Sequence, residues 1–269
     1  MDTTLVLLLL KVAIAPLFVG VVSLIALRYG HRAAGWLVAL PINTGTIVLV
    51  LTLSEGAGFA ATAALGALLG IVSLSVFAIA YARAAVRFRW PVCLAAASIG
   101  FVVSTLLLSQ VPEFVLLDLV AAVASVAGVL VLVPASDEPS LPDQSPRWEI
   151  PARMLTAALL VLAITTSAEA LGPRLSGLLT PIPVFTITLV LFAHSRQGPT
   201  PVFVFLNGLQ YGLFSFAAFC VVVGVLLVPF GLPIAFAAGL GAFLVVYAVV
   251  RELVARTANR RPPRDAAAA

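Results

Sequence analysis
The side chains able to do chemistry are few, and they stand inside apolar runs. Pro41, Asn43, Thr44, Gly45 and Thr46 fall together, and Pro181, Pro183, Thr186 and Thr188 answer them further along. Proline removes a backbone donor, frees a carbonyl and bends its helix. The threonines and the asparagine beside it offer hydrogen bonds to a polar solute, or close onto their own backbone at a packing kink. A third set is Asn207, Gln210, Tyr211 and Ser215. Helical spacing predicts one shared face for them. Amides in apolar surroundings need partners, which a neighbouring helix or a wet cavity supplies.

Three ionisable residues interrupt apolar stretches: Lys11, Asp118 and Glu169. Lys11 lies roughly 10 Å into its run at the rise of a helix. Such a group must snorkel, pair or face water. A Lys11–Asp118 pair in an outer vestibule, with Glu169 near the same end, is one arrangement that satisfies it. His31 and His194 have no metal-ligand spacing, and Cys93 and Cys220 sit singly in apolar runs. Nothing here calls for a metal or a cofactor. No phosphate-binding loop, nucleophile elbow, zinc-protease motif or dinucleotide fingerprint occurs, so the sequence does not support an enzyme.

The elements that must position these residues follow from composition. Apolar residues make up 62% of the 269, charged residues 10%, and the mean hydropathy is +1.17. A water-soluble domain has about 25% charged residues, so the partner of most of this chain is the lipid bilayer. About 20 apolar residues cross a bilayer as a helix, and lipid demands that every backbone group be satisfied within it. Nine runs qualify: Thr4–Leu27, Gly35–Leu53, Phe59–Ala82, Pro91–Ser109, Phe114–Val133, Arg153–Leu171, Leu175–Ala193, Pro201–Val228 and Leu232–Arg251. The expected fold is an all-α, polytopic transmembrane bundle. The first run reads as a retained span rather than a signal peptide, since Asp2 and no basic region precedes it.

Between the fifth and sixth runs lies a segment carrying Pro134, Asp137, Glu138, Pro139, Pro142, Asp143 and Pro146, which reads as an exposed spacer. With loops assigned alternately to two faces, one face receives Arg28, Arg32, Arg83, Arg87, Arg89, Arg147, Arg153, Arg196, Arg251, Arg256, Arg260, Arg261 and Arg264. The other receives Lys11 and Arg174. Basic residues stay cytoplasmic, so the N-terminus is expected outside and the C-terminus inside. The net charge of +4 belongs to this asymmetry and not to nucleic-acid binding.

The chain also repeats itself. Gly30–Ser73 and Gly172–Ser215 align without a gap at an offset of 142, and 13 of 44 positions are identical. The matches include Gly30/Gly172, Arg32/Arg174, Gly35/Gly177, Pro41/Pro183, Thr44/Thr186, Thr46/Thr188, Gly56/Gly198, Gly66/Gly208, Gly70/Gly212 and Ser73/Ser215. Apolar bias would match Leu, Val and Ala; matched Gly, Pro, Thr and Arg point to duplication. Spans one to four pair with spans six to nine, and five crossings between partners invert the second copy. The expected organisation is a first four-helix repeat over 1–112, a connecting helix over 113–133, a cytoplasmic linker over 134–152, a second repeat over 153–251 and a basic tail over 252–269. Gly66/Gly70 and Gly208/Gly212 form GxxxG pairs that predict close helix packing.

Each half resembles the GlpM family of small four-helix bacterial inner-membrane proteins. The likeness rests on Ser176-Gly177-Leu178, Pro183, Ser195-Arg196-Gln197-Gly198, Leu232-Pro233 and Ala235-Phe236 in the second copy, and on Ala34-Gly35, Pro41 and Ser54-Glu55-Gly56 in the first. The resemblance implies a bacterial cytoplasmic membrane protein and no particular substrate. The duplication, the added fifth span and the linker depart from the family. The layout is also similar to that of the drug/metabolite transporter superfamily, in architecture only. Inverted repeats with paired helix interruptions predict a secondary transporter for a small molecule. Its midplane site is expected between Pro41, Asn43, Thr44 and Thr46 on one side and Pro183, Thr186, Thr188, Asn207, Gln210 and Tyr211 on the other. The rival expectation is a non-transporting scaffold with a dry interior, its polar residues bonded between helices.

Overall fold
The computed structural model describes residues 3–112, 114–134, 146, 148–171 and 183–259; the side chains of 3–15, 43, 161, 163–171 and 257–259 also fall outside the description. Among the described residues the chain is all helix. The elements are α1 (Thr3–Tyr29), α2 (His31–Val38), α3 (Ile42–Ser54), α4 (Ala57–Ala85), α5 (Trp90–Leu108), α6 (Val115–Leu132), α7 (Glu149–Leu171), α8 (Val184–Gln197) and α9 (Pro199–Asn259).

Three expected spans take a different form. The run Gly35–Leu53 is two helices, α2 and α3, because Pro41 denies the chain a donor and stands at φ −77°, ψ 34° as the cap of α3. The runs Pro201–Val228 and Leu232–Arg251 are the two arms of α9, which meet at Gly231 with φ 75° and ψ 173° between Pro229 and Pro233. That backbone region is open only to glycine. α1, α4, α5 and α6 begin and end within a few residues of their apolar runs, and 175–182, the first part of the run Leu175–Ala193, lie outside the described residues. α7 starts at Glu149, four residues before Arg153. Proline in a first turn costs a helix nothing and an acidic residue there suits the dipole, so Glu149, Ile150 and Pro151 extend it.

Helix ends recur at the offset of 142 residues. α3 begins at Ile42 and α8 at Val184, and α4 begins at Ala57 and α9 at Pro199. Pro183 caps α8 at φ −79°, ψ 61°, as Pro41 caps α3. The first amide bonds match, Gly45 N–H to Pro41 O at 2.8 Å and Ile187 N–H to Pro183 O at 2.7 Å. Gly56 (φ 95°) and Gly198 (φ 83°) then turn the chain alike into α4 and α9.

At the centre α4 packs on α9, while α2 lies on α9, and α5 and α6 lie on α4. α1 packs on α7, so equivalent helices of the two halves face each other in two pairs, α1 with α7 and α4 with α9. Leu68, Ile71, Phe77 and Ala78 of α4 and Leu206, Leu209, Leu213 and Cys220 of α9 fill the middle. The close approach is elsewhere, between α2 and α9. A Cβ on Gly35 would strike the backbone of Phe205, and one on Gly208 the backbone of Arg32. Gly212 lies against Ala39 and Trp36. The second GxxxG pair thus grips α2 rather than its counterpart in α4, and Gly66 has no such neighbour within 4 Å among the described residues.

Large apolar side chains cover the outside, as on α5 (Ile99, Val103, Leu107) and the second arm of α9 (Leu240, Leu244, Val245). Four helices, α4, α5, α6 and α9, are long and apolar enough to cross a membrane.

Candidate functional site
Gln210 lies 11 residues into α9, about 16 Å from its start at helical rise. It is fully buried. Ser75 of α4 donates to Gln210 Oε1 at 3.4 Å, and Ser125 of α6 donates to Ser75 Oγ at 3.1 Å. Gln210 Nε2 has no partner among the described residues. Turning the amide over would give Nε2 to Ser75 and orphan the carbonyl instead. Either way one end of a buried amide is left unmet, which costs about 1–3 kcal/mol unless water or a solute reaches it. Beside it, Thr105 of α5 donates to Ser73 of α4 at 2.9 Å, and Asn207 Nδ2 donates to Pro134 O at 3.3 Å. Ser215 is buried, and its hydroxyl has no hydrogen-bond partner among the described residues.

The residues expected on one face of α9 divide. Asn207 and Gln210 turn to α6 and α4. Tyr211 turns to α2, where its ring stacks on Trp36 with centroids 5.7 Å apart, and Tyr247 meets the same indole edge-on at 4.8 Å. A 100° step per residue separates neighbours 210 and 211 far enough for different helices to claim them.

The proline–threonine sets stay apart. α3 packs mainly on α4, whereas α8 packs on α9, α7, α1 and α5. Pro41 is buried and Thr44 half-buried; the half-buried Thr46 donates to Ile42 O at 2.7 Å. Thr186 and Thr188 are buried, and Thr188 donates to Val184 O at 2.8 Å. These hydroxyls close on their own helices, as a kink allows. The Asn43 side chain lies outside the described residues, as do those of Lys11 and Glu169 and all of Pro181 and Arg174. The Lys11–Asp118 pair therefore has one described member. Asp118 is buried in the first turn of α6, on the face that Ala122, Val126 and Val129 continue.

A second polar cluster, absent from the sequence expectations, gathers on the last turns of α8. Tyr81 OH and His194 Nδ1 are 2.9 Å apart, and His31 Nε2 and Gln197 Oε1 3.3 Å. Glu149 and Arg153, 0% and 2% exposed, bond at 2.9 and 3.2 Å within α7. Arg153 lies over the Phe192 ring at 5.7 Å, and Arg196 over the Trp148 ring at 5.2 Å. Arg196 Nε is 3.9 Å from Glu149 Oε2. The starts of α2 and α7 and the ends of α4 and α8 therefore share one end of the bundle, the end to which the basic residues assign them. The signal for the buried pair was present as glutamate four residues before arginine, a spacing that joins the two on a helix. In the sequence Glu149 falls within the expected linker 134–152, and Arg153 counts toward topology.

No group of three or more His, Cys, Asp or Glu able to hold a metal occurs among the described residues. No family model, curated protein or solved structure matches the chain. The likeness of each half to the GlpM family rests on the quoted motifs alone. Among the described residues the chain is an all-helical bundle with four helices long and apolar enough to cross a membrane, polar contacts between helices around Gln210, and a polar cluster at the end of α8.

Proposed function
We propose that the chain is a secondary transporter for a small polar molecule, built from two inverted copies of a four-helix unit. The observation that carries the reading is the matched helix start after Pro41 (α3) and after Pro183 (α8), followed by the matched turns at Gly56 and Gly198. Broken helices at equivalent places in two halves are how transporters place backbone groups and small polar side chains at the midplane. The facing of α1 with α7 and of α4 with α9 supports a two-fold axis between the copies. About nine spans in a bacterial cytoplasmic membrane, with the N-terminus outside and the C-terminus inside, complete the reading, for which the basic residues speak. Gln210, with its unmet amide, is the first candidate to hold the solute.

One observation favours the scaffold reading: Ser75–Gln210 and Thr105–Ser73 join different helices, and Asn207 bonds Pro134 O just past α6, as polar glue does. Labelling separates the two. With Cys93 and Cys220 replaced, single substitutions Asn43→Cys, Thr186→Cys and Gln210→Cys are exposed to a small polar thiol reagent from each side. A transporter gives labelling at mid-depth, and liposome uptake screens follow. Failure at all three sites, with a labelled loop control, leaves the dry scaffold.

A further inference from the structure
The charge of one helical hairpin is gathered at its turn. From Gly56 to Pro112 the charged residues are Arg83, Arg87 and Arg89. They fall within seven positions, where α4 hands over to α5, and all three side chains are exposed. Among them stand exposed apolar side chains, Val86 at 66%, Phe88 at 54% and Val92 at 50%. The turn is braced from within. Arg87 and Phe88 N–H both bond Ala84 O, at 3.0 and 2.9 Å, and Cys93 N–H bonds Arg89 O at 3.3 Å. The buried Cys93 thiol donates to Phe88 O at 3.4 Å. A tied backbone presents the arginines without the entropic cost of ordering a loop.

Helix length sets the depth of the turn. α4 and α5 are both long and apolar enough to cross a membrane. The 19 residues of α5 rise about 28 Å, close to the roughly 30 Å of a hydrocarbon core, so Trp90 at its start falls at the boundary. Indoles favour that level. The 29 residues of α4 rise about 43 Å and carry its last turn beyond the core. Residues 86–89 therefore lie just outside the hydrocarbon, at the level of lipid phosphates.

We propose that this turn binds an anionic phospholipid, its phosphate held by Arg83, Arg87 and Arg89 and its chains lying against Phe88 and Val92. The inference stands apart from the transport reading, because a transporter and a scaffold would hold the lipid alike. A topology signal needs only a count of basic residues on one face. It needs neither a braced turn nor apolar side chains exposed among the charges. Guanidinium offers a planar fork that takes two phosphate oxygens at once. Three positive charges favour a net-negative lipid over a zwitterionic one, and the exposed Phe88 and Val92 favour an amphiphile over free phosphate.

The test reads Trp90. Trp36→Phe and Trp148→Phe leave it the one indole of the chain. The protein is reconstituted in phosphatidylcholine vesicles doped with either brominated phosphatidylglycerol or brominated phosphatidylcholine, whose chains quench an indole on contact. At 0.1 M salt phosphatidylglycerol should reach half of its full quenching at a mole fraction about tenfold lower, the preference that three partly screened arginines allow. The preference should shrink at 1 M salt, where the Debye length is about 3 Å. Arg83→Gln, Arg87→Gln and Arg89→Gln together should abolish it, and Arg256→Gln should not. Should the triple variant unfold, Arg87→Gln alone, expected to lower the preference about twofold, replaces it. Equal quenching by the two lipids in the parent would reduce the arginines to a topology signal and overturn the site. A preference that survives the substitutions overturns it too, and so does one that millimolar inorganic phosphate removes, which would assign the turn to a free anion. A preference that emerges only with Asp137→Asn, Glu138→Gln and Asp143→Asn would give the arginines to the linker and equally overturn the lipid site.

Discussion
Gln210 poses the sharpest question at the residue scale, because its equivalent in the first copy is Leu68. Leucine has nearly its volume, and Ser75 would keep Ser125 as a partner. Gln210→Leu should therefore change stability by less than about 1.5 kcal/mol while removing solute binding, whereas Gln210→Ala opens a cavity and should cost about 2–3 kcal/mol. Thermal unfolding in detergent reads the difference. Equal losses would make the amide structural glue. The two ion pairs within helices give a second contrast. Arg153 is buried with Glu149, while Arg256 and Glu252, also four apart at 2.8 Å, are mostly exposed. Arg153→Ala leaves the buried Glu149 carboxylate only the longer contact to Arg196 and should cost about 3 kcal/mol. Arg256→Ala should stay within about 0.5 kcal/mol. Comparable unfolding temperatures for both variants would contradict the burial. The sequence made Gln210 and Asn207 stand out, as amides in apolar runs must. It did not tell where the threonine hydroxyls point, because Thr46 and Thr188 choose their own backbone over a cavity, and that choice depends on neighbours far along the chain.

At the element scale the glycines decide which helices touch. Gly35→Ala or Gly208→Ala drives a methyl into backbone of the facing helix, which cannot rotate away, so each should destabilise by about 1–3 kcal/mol or more. Gly66→Ala meets nothing within 4 Å among the described residues and should be nearly silent. Similar losses at 66 and 208 would mean that α4 and α9 use their GxxxG pairs alike. The helices themselves were legible, since apolar runs of membrane length have one way to satisfy their backbone in lipid. So was the interruption at Pro41, which follows from a missing donor. The partner of each small-residue stripe was not legible. Gly66 and Gly208 match in sequence, yet α2 occupies only the groove at Gly208, and nothing local in either helix encodes that.

At the scale of the whole molecule the distinguishing claim is inversion, and it reduces to two residues. Glu55 and Gln197 are equivalent in sequence, each one position before a glycine of positive φ, Gly56 or Gly198. Both side chains are exposed. Repeats inserted in parallel would set them on the same side of the membrane. Inverted repeats set them on opposite sides, and the charges say which: Gln197 lies beside Arg196 at the end rich in arginine, while the end of α3 has Glu55 and no basic residue near it. Glu55→Cys should then react with an impermeant thiol reagent only from outside, and Gln197→Cys only from inside, once Cys93 and Cys220 are gone. Labelling of both from one face would require an even number of crossings between them and remove the two-fold axis. With it would go the inverted-repeat form of the transport reading, since repeats related by an axis in the membrane plane need opposite orientations.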